Sequence, residues 1–357
     1  MIVVNPPRAH FRQAKLVEEF MTNFTRRQSL AFAGIGFLAA SGAPLVARSQ
    51  EKKTIKVATQ YGTSHLATTV AEKLSLFQKH AESKGLSGTE FQIQRVSGSS
   101  VINDGIFSGS LDIGAYGSTA LIAAWAKTRG SYDLKGIAAC NEAVLTLYTN
   151  DPSIKSIKDI KPTDRIAVTG TTSPQAIMLQ MAAEKEFGKG EAKRFDKQMV
   201  QLPHPDATTA LISGNGVTLY FASPPFISTL EASKKCFKVT DGRDIIGGPY
   251  SGALYASTQK FAEANPKVLA AFVGALKEAM DLIQSDPRQA GEIYRAAEKT
   301  SLSAAQVEEA IRGQVFTTEP SGMQRFADFL AGTGAIKQAP ASWRDMFFEP
   351  VSKGNGS

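Results

Sequence analysis

The feature that most constrains the fold is a unit that recurs from Thr54 onward. A short β-branched or apolar run is followed by a turn rich in Gly, Ser and Thr, and then by a stretch with apolar residues at helical spacing. Thr54 to Thr59 reads as a strand, Gln60 to Ser64 as its turn, and 65–83 as a helix with Leu66, Val70, Leu74 and Phe77 on one face. A second unit has a strand over 91–96, the turn Ser97 to Ser100 and a helix ending at Gly109. A third has a strand over 111–116, the turn Gly117 to Thr119 and a helix over 120–127. After Asn150-Asp151-Pro152 the pattern restarts, with a strand over 165–168, the turn Thr169 to Ser173, and a helix over 174–187. Pro174 suits that helix's first position and Ser173 its N-cap. Strands over 198–202 and 217–222 follow, with a helix over 206–213 between them. Alternation of this kind predicts an α/β protein whose sheets are mainly parallel and covered by helices.

The segments 108–122 and 213–227 have equal length and share Ser-Gly at the start and a serine, Ser118 or Ser223, at the turn. That echo is what two related half-structures would leave. A chain of 357 residues suits two domains of about 100 to 200 residues each. Beyond Gly247-Gly248-Pro249 the reading is a strand over 250–257 and then helices over 266–285, 287–299, 303–312 and 321–330. Ser303 and Gln306 have capping-box spacing.

The net charge of +7 is concentrated at the start. Arg8, Arg12, Lys15, Arg26, Arg27 and Arg48 face only Glu18 and Glu19 within 1–49, so the remainder is close to balanced and carries no basic stripe for nucleic acid. Arg26-Arg27, the apolar run 31–40 and the small residues near Ala47 read as a removable export leader over 1–49 of twin-arginine (Tat) type, with Met21 as an alternative start. The apolar run is shorter than the ~20 residues that span a bilayer. A soluble, exported, periplasmic protein is therefore expected. Cys140 and Cys236 read as ordinary buried thiols, though an oxidising compartment permits their pairing. No metal site is expected from two cysteines without a C-x-x-C, and no cofactor is expected.

Enzyme signatures such as G-x-S-x-G, G-x-x-x-x-G-K-[ST] and H-E-x-x-H are absent from the sequence. What recurs is a hydroxyl-rich turn between a strand's C-terminus and a helix's N-terminus. In an open α/β sheet such turns share the carboxyl edge, where unpaired backbone N–H groups face a ligand. A site made this way, without carboxylates, suits an anionic or neutral polar guest better than a cation. The residues expected to bind it are Gln60, Tyr61, Thr63, Ser64, Ser99, Ser118 and Thr119 on one wall. Thr171, Thr172, Ser173, Ser223 and Tyr250 complete the set. Tyr116, Trp125 and Phe226 are further candidates to wall the pocket.

Lys53 to Ala58, Ser108 to Gly117, Ser153 to Lys161 and the Thr-Gly-Thr-Thr-Ser turn at Thr169, in that order behind an export leader, resemble the nitrate/sulfonate/taurine group of ABC-transporter solute-binding proteins. That group includes thiamine-pyrimidine binders. The resemblance implies a two-lobed periplasmic binding protein fold of the second type. The first lobe would comprise 50–148 and 249–357 and the second 149–248, with hinge strands near 144–150 and 245–254. It also implies a non-enzymatic, monomeric receptor that carries a small organic anion, a sulfonate or carboxylate, to an ABC permease. Two departures bear on the ligand: Asn215-Gly216-Val217 stands where an acid is usual, and Ser118-Thr119 where a proline is frequent. Two alternatives stay open. One is an enzyme related to thiamine-pyrimidine synthesis that uses His65, and the other is a sensor subunit for a membrane signalling partner.

Overall fold

The computed structural model describes residues 51–357, so the expected leader over 1–49 lies outside the described residues. The first half opens with β1 (Thr54–Thr59), α1 (Leu66–Lys73), α2 (Leu76–Ser83) and β2 (Glu90–Arg95). It continues with α3 (Ser99–Ser108), β3 (Ile113–Gly117), α4 (Ser118–Thr128) and β4 (Lys135–Ala139). The chain then crosses to a second sheet through β5 (Thr146–Thr149), β6 (Ile166–Val168), α5 (Pro174–Phe187) and β7 (Met199–Gln201). There follow α6 (His204–Ser213), β8 (Leu219–Ala222), α7 (Phe226–Ser233), β9 (Phe237–Asp241) and α8 (Gly242–Ile246). It returns through β10 (Ala253–Ser257) and ends in α9 (Gln259–Ala264), α10 (Pro266–Ser285), α11 (Pro287–Glu298), α12 (Ala304–Arg312) and α13 (Met323–Gly332).

Among the described residues the strands form two five-stranded sheets, ordered β2-β1-β3-β10-β4 and β7-β6-β8-β5-β9. The two orders are equivalent position by position. In each sheet the antiparallel member is the strand that has just arrived from the other half, β10 or β5. The remaining strands of each sheet run parallel, as the alternation predicted. The sequence echo also has a structural counterpart. Gly109 and Gly214 both end a helix in the left-handed conformation, at φ 74° and 68°, where glycine carries no Cβ penalty. Each leads into a strand, β3 or β8, whose first four residues are buried, as covered parallel sheets require.

Packing of the first half centres on Phe77, Phe91 and Phe272. The Phe77 ring lies 5.1 Å from Phe91 and 5.2 Å from Phe272, stacked on both, and so joins α2, β2 and α10. The buried face of α10 continues through Val268, Leu276 and Ile283. The helix expected over 65–83 is broken. Ser75 adopts φ 54°, which starts α2 at a new angle and leaves Leu74 38% exposed while Leu66, Val70 and Phe77 stay buried. Asp112 is committed within the first half: it holds Lys52 Nζ at 2.7 and 2.8 Å and accepts from Lys56 N at 2.9 Å, tying the start of β1 to β3. Cys140 is buried, Cys236 half-buried, and both are free thiols.

The two crossings pair with each other. Ala143 N donates to Tyr250 O at 2.7 Å, Gly252 N to Asn141 O at 3.0 Å and Ala253 N to Asn141 Oδ1 at 3.1 Å. The strand expected over 250–257 starts only at Ala253, because Tyr250 O and Gly252 N are bonded to the other crossing and Ser251 N to Ser321 O. No helix of the described residues is long and apolar enough to cross a membrane.

Candidate functional site

The carboxyl ends of both sheets face one cavity of about 60 Å³ between the halves. Gln60, Tyr61, Ser64 and His65 follow β1, Ser99 opens α3, and Tyr116 and Gly117 end β3. From the other side come Thr169, Ser173, Pro174 and Gln175 around the start of α5, His204 at the start of α6, and Ser223 after β8. Ala143 to Leu145 and Gly252-Ala253, from the paired crossings, form the floor. In the arrangement described, the space admits roughly four or five water-sized atoms, the scale of a very small guest.

The expected site residues divide into two sets. Gln60, Tyr61, Ser64, Ser99, Ser173 and Ser223 line the cavity. Gln60 Nε2 donates to Ala115 O at 2.9 Å, which pins the first turn to β3. Ser64 Oγ accepts from Asn141 Nδ2 at 3.2 Å, linking that turn to the crossing, and leaves the serine's own proton to donate. Ser173 is the N-cap of α5, accepting from Ala176 N at 3.3 Å, as its position before Pro174 predicted.

Thr63, Ser118, Thr119, Thr171, Thr172 and Tyr250 lie outside the cavity lining. Thr63 is fully buried and serves the junction between halves: its N and Oγ1 donate to Pro224 O at 3.3 and 2.9 Å, and Gln314 Nε2 donates to Oγ1 at 2.7 Å. Thr119 Oγ1 likewise donates across the junction, to Thr172 O at 2.6 Å. Thr171 and Thr172 are exposed side chains, since the turn into α5 directs only its last residue inward. Ser118 is buried in the first turn of α4, its Oγ without a hydrogen-bond partner among the described residues. Tyr250 sits behind the floor, accepting from Leu145 N at 3.2 Å and stacked edge-on against Phe326. Of the candidate wall aromatics, Tyr116 reaches the lining. Trp125 instead donates to Asp345 O at 3.2 Å, and Phe226 backs His204.

Two histidines complete the site, one from each half. His65 is 7% exposed, and its Nδ1 is buried without a partner among the described residues. Burial, then His204, then Arg95 push its pKa down to about 3, so the ring is neutral. His204 stacks on Phe226 at 5.4 Å and its Nδ1 bonds the Tyr220 hydroxyl. Its Nε2 lies 3.4 Å from both Ser223 Oγ and Gln175 Nε2, and burial pushes its pKa down to about 4. Gln175 is oriented in turn by Thr169 Oγ1, which donates to its Oε1 at 3.1 Å. The Tyr116 hydroxyl is another buried group without a partner among the described residues, and burial pushes its pKa up. His204 escapes the sequence reading because the helix is begun at Asp206. Pro205, which fits the first turn of a helix, is the signal that moves its start back to His204.

Among the described residues no Lys, Arg, Asp or Glu lines the cavity. Among the described residues no group of three or more His, Cys, Asp and Glu is placed to hold a metal ion. The lining is a set of hydroxyls, amides, imidazoles and backbone groups suited to hydrogen-bonding a small polar guest.

Two matched α/β halves, crossed twice by the chain and facing one cavity with their carboxyl edges, define the two-lobed periplasmic binding protein fold of the second type. Solved structures agree with that class. The alkanesulfonate-binding protein SsuA of Xanthomonas axonopodis pv. citri, bound to MOPS, is similar at 16% identity and TM-score 0.64, over 84% of this chain and 98% of that one. The aliphatic sulphonate binding protein SsuA of Escherichia coli gives 18% and 0.62, over 84% and 93%. The nitrate-binding protein NrtA of Synechocystis PCC 6803 gives 13% and 0.65, over 86% of each chain. At these identities the likeness is one of fold. Comparison with curated protein sequences gives no match. The NMT1-like family model matches residues 48–297, and the chain belongs to that family.

Proposed function

We propose that this protein is the exported solute-binding component of an ABC importer and captures a small organic anion, a sulfonate or carboxylate, between its lobes. The observation that carries the reading is the convergence of hydroxyl-, amide- and imidazole-bearing residues from both carboxyl edges on one cavity. The printed names of its structural neighbours, sulfonate- and nitrate-binding proteins, support the anion class. The paired crossings near 140–145 and 248–253 act as the hinge, and the lobes close when the guest is touched from both sides. A loaded, closed receptor then docks on a membrane permease. Export by the twin-arginine route, a periplasmic address and a monomeric state belong to the same proposal. Against the enzyme alternative stands a lining without a carboxylate to orient His65 or His204 as a base.

The test is a thermal-shift screen of short alkanesulfonates, aromatic carboxylates and nitrate against the full chain. At about 100 times Kd, a true ligand stabilises the protein by about 2.7 kcal/mol. A flat response to every anion, with a shift from uncharged solutes only, overturns the anion assignment. Silence throughout overturns the receptor reading.

A further inference from the structure

We propose that anion capture at this site is coupled to the uptake of one proton, shared between His65 of one lobe and His204 of the other. The inference rests on the receptor reading above and adds its charge balance. An anion enclosed between the lobes meets no fixed positive charge from the described residues, because among them neither Lys nor Arg is on the lining. Helix N-termini and backbone N–H groups supply partial charge only, and an uncompensated ion in a closed space is strongly disfavoured. The two imidazoles are the groups on the lining that can become cationic near neutral pH.

Geometry places them for that role. They approach the cavity from opposite lobes, so closure brings both to one guest. His65 lines the cavity, and its Nδ1 is buried with no partner among the described residues, so the ring keeps an uncommitted nitrogen. His204 is anchored through its Nδ1 to Tyr220, and its Nε2 has only contacts at 3.4 Å, to the lining residues Gln175 and Ser223. The other titratable or charged groups facing the pair leave the balance open to the ligand. Arg95 on β2 acts on His65 but is committed to Glu298 on α11 at 2.6 Å. Tyr116 on β3 and Tyr220 on β8 stay protonated through burial. Tyr61 completes the lining on the first turn.

Without an anion both rings are neutral, with His204 at about 4 and His65 at about 3. An anion about 4 Å away in surroundings of effective dielectric about 20 raises an imidazole's proton affinity roughly a thousandfold. That carries His204 from about 4 to near neutrality while leaving it unprotonated in the free protein. The bond formed is N–H on one imidazole, the proton comes from the buffer, and the product is an imidazolium–anion pair under the closed lobes.

The experiment is isothermal titration of the full chain with methanesulfonate and with acetate near pH 6, in buffers of high and low ionisation heat. The expected result is an observed enthalpy that changes with buffer by about one proton taken up per anion bound. Affinity should also strengthen by roughly tenfold for one pH unit of acidification between about 6.5 and 5.5. His204→Gln and His65→Gln keep a polar side chain but cannot take the proton, and at least one should abolish the buffer dependence while the lobes remain folded. Binding that is independent of buffer and of pH overturns the proton coupling and leaves the anion receptor standing. Failure of every anion to bind removes both. The wild-type titration decides the matter even if a variant does not fold.

Discussion

Gly117→Ala tests whether the lobes must meet where the structure brings them together. Gly117 ends β3 at φ −70° and ψ 154°, a conformation alanine adopts freely, so the substitution strains no backbone. A Cβ at that point would lie 2.6 Å from Pro174 Cδ and 2.8 Å from Pro174 Cγ, across the cleft. Non-bonded carbons settle about 3.5–4.0 Å apart, so the lobes would have to part by about an ångström there. The proline ring cannot swing aside, because it is the buried first residue of α5. The same displacement stretches the Thr119 Oγ1 bond to Thr172 O, now 2.6 Å, to the limit of hydrogen bonding. Forced overpacking of this kind costs roughly 1–3 kcal/mol. The cost falls on the closed arrangement alone, since an opened cleft removes the contact. Ligand affinity should therefore drop roughly 5- to 150-fold. Calorimetry with the best anion from the screen reads that loss, and urea denaturation without ligand should differ from wild type by less than about 0.5 kcal/mol. Unchanged affinity together with unchanged stability would refute the contact as part of closure. A stability loss above about 3 kcal/mol would place the clash within a lobe instead.

Stability should fall as pH drops from about 6.5 toward 4. His65 and His204 are held neutral in the fold, at about 3 and 4, so the unfolded chain takes up protons that the native state refuses. Each contributes at most about 1.4 kcal/mol per pH unit across that window, all of it intact above 6.5. Denaturant titrations at stepped pH check this, and His204→Gln should flatten the slope by about one proton; stability that rises on acidification would contradict the buried neutral rings. Thr63→Val removes the hydroxyl between Pro224 O and Gln314 Nε2, and should cost about 1–2 kcal/mol by urea denaturation while weakening ligand binding. Ser173→Ala removes the cap of α5 and should cost about 0.5–2 kcal/mol, read by the same assay, with a further loss of affinity because the same serine lines the cavity.

How much of this was legible in the sequence depended on whether the signal was local. Helix α5 is read at its start because Ser173 and Pro174 are adjacent punctuation. The alternation of runs and turns leads directly to parallel sheets whose carboxyl edges carry the site. The sheet order is a different matter, since the place of β10 between β3 and β4 is decided by residues more than a hundred positions away. The break at Ser75 is hidden for a related reason: Leu74 keeps its helical spacing although the chain has turned beneath it. The turns themselves are found, but not which of their side chains face the guest. Thr171, Thr172 and Ser173 are consecutive hydroxyls, and only the phase of the turn into α5 selects Ser173.

That selection has a physical sense. A two-lobed receptor needs contacts that hold a guest and contacts that hold the lobes to each other, and hydroxyl-rich turns on facing edges provide both from the same composition. Ser64, Ser99 and Ser173 line the cavity, while Thr63 and Thr119 give their hydroxyls to carbonyls of the opposite lobe. Those bonds to carbonyls would be lost in an opened cleft, whereas the one Thr63 receives from Gln314 would stay. The second group therefore shifts the balance between open and closed forms without touching the ligand, and lets a guest of few atoms draw on a closure larger than its own contacts. A site this small gains its selectivity from the fit of the shut cleft, so a bulkier anion that keeps the lobes apart forfeits the cross-lobe bonds as well as its own.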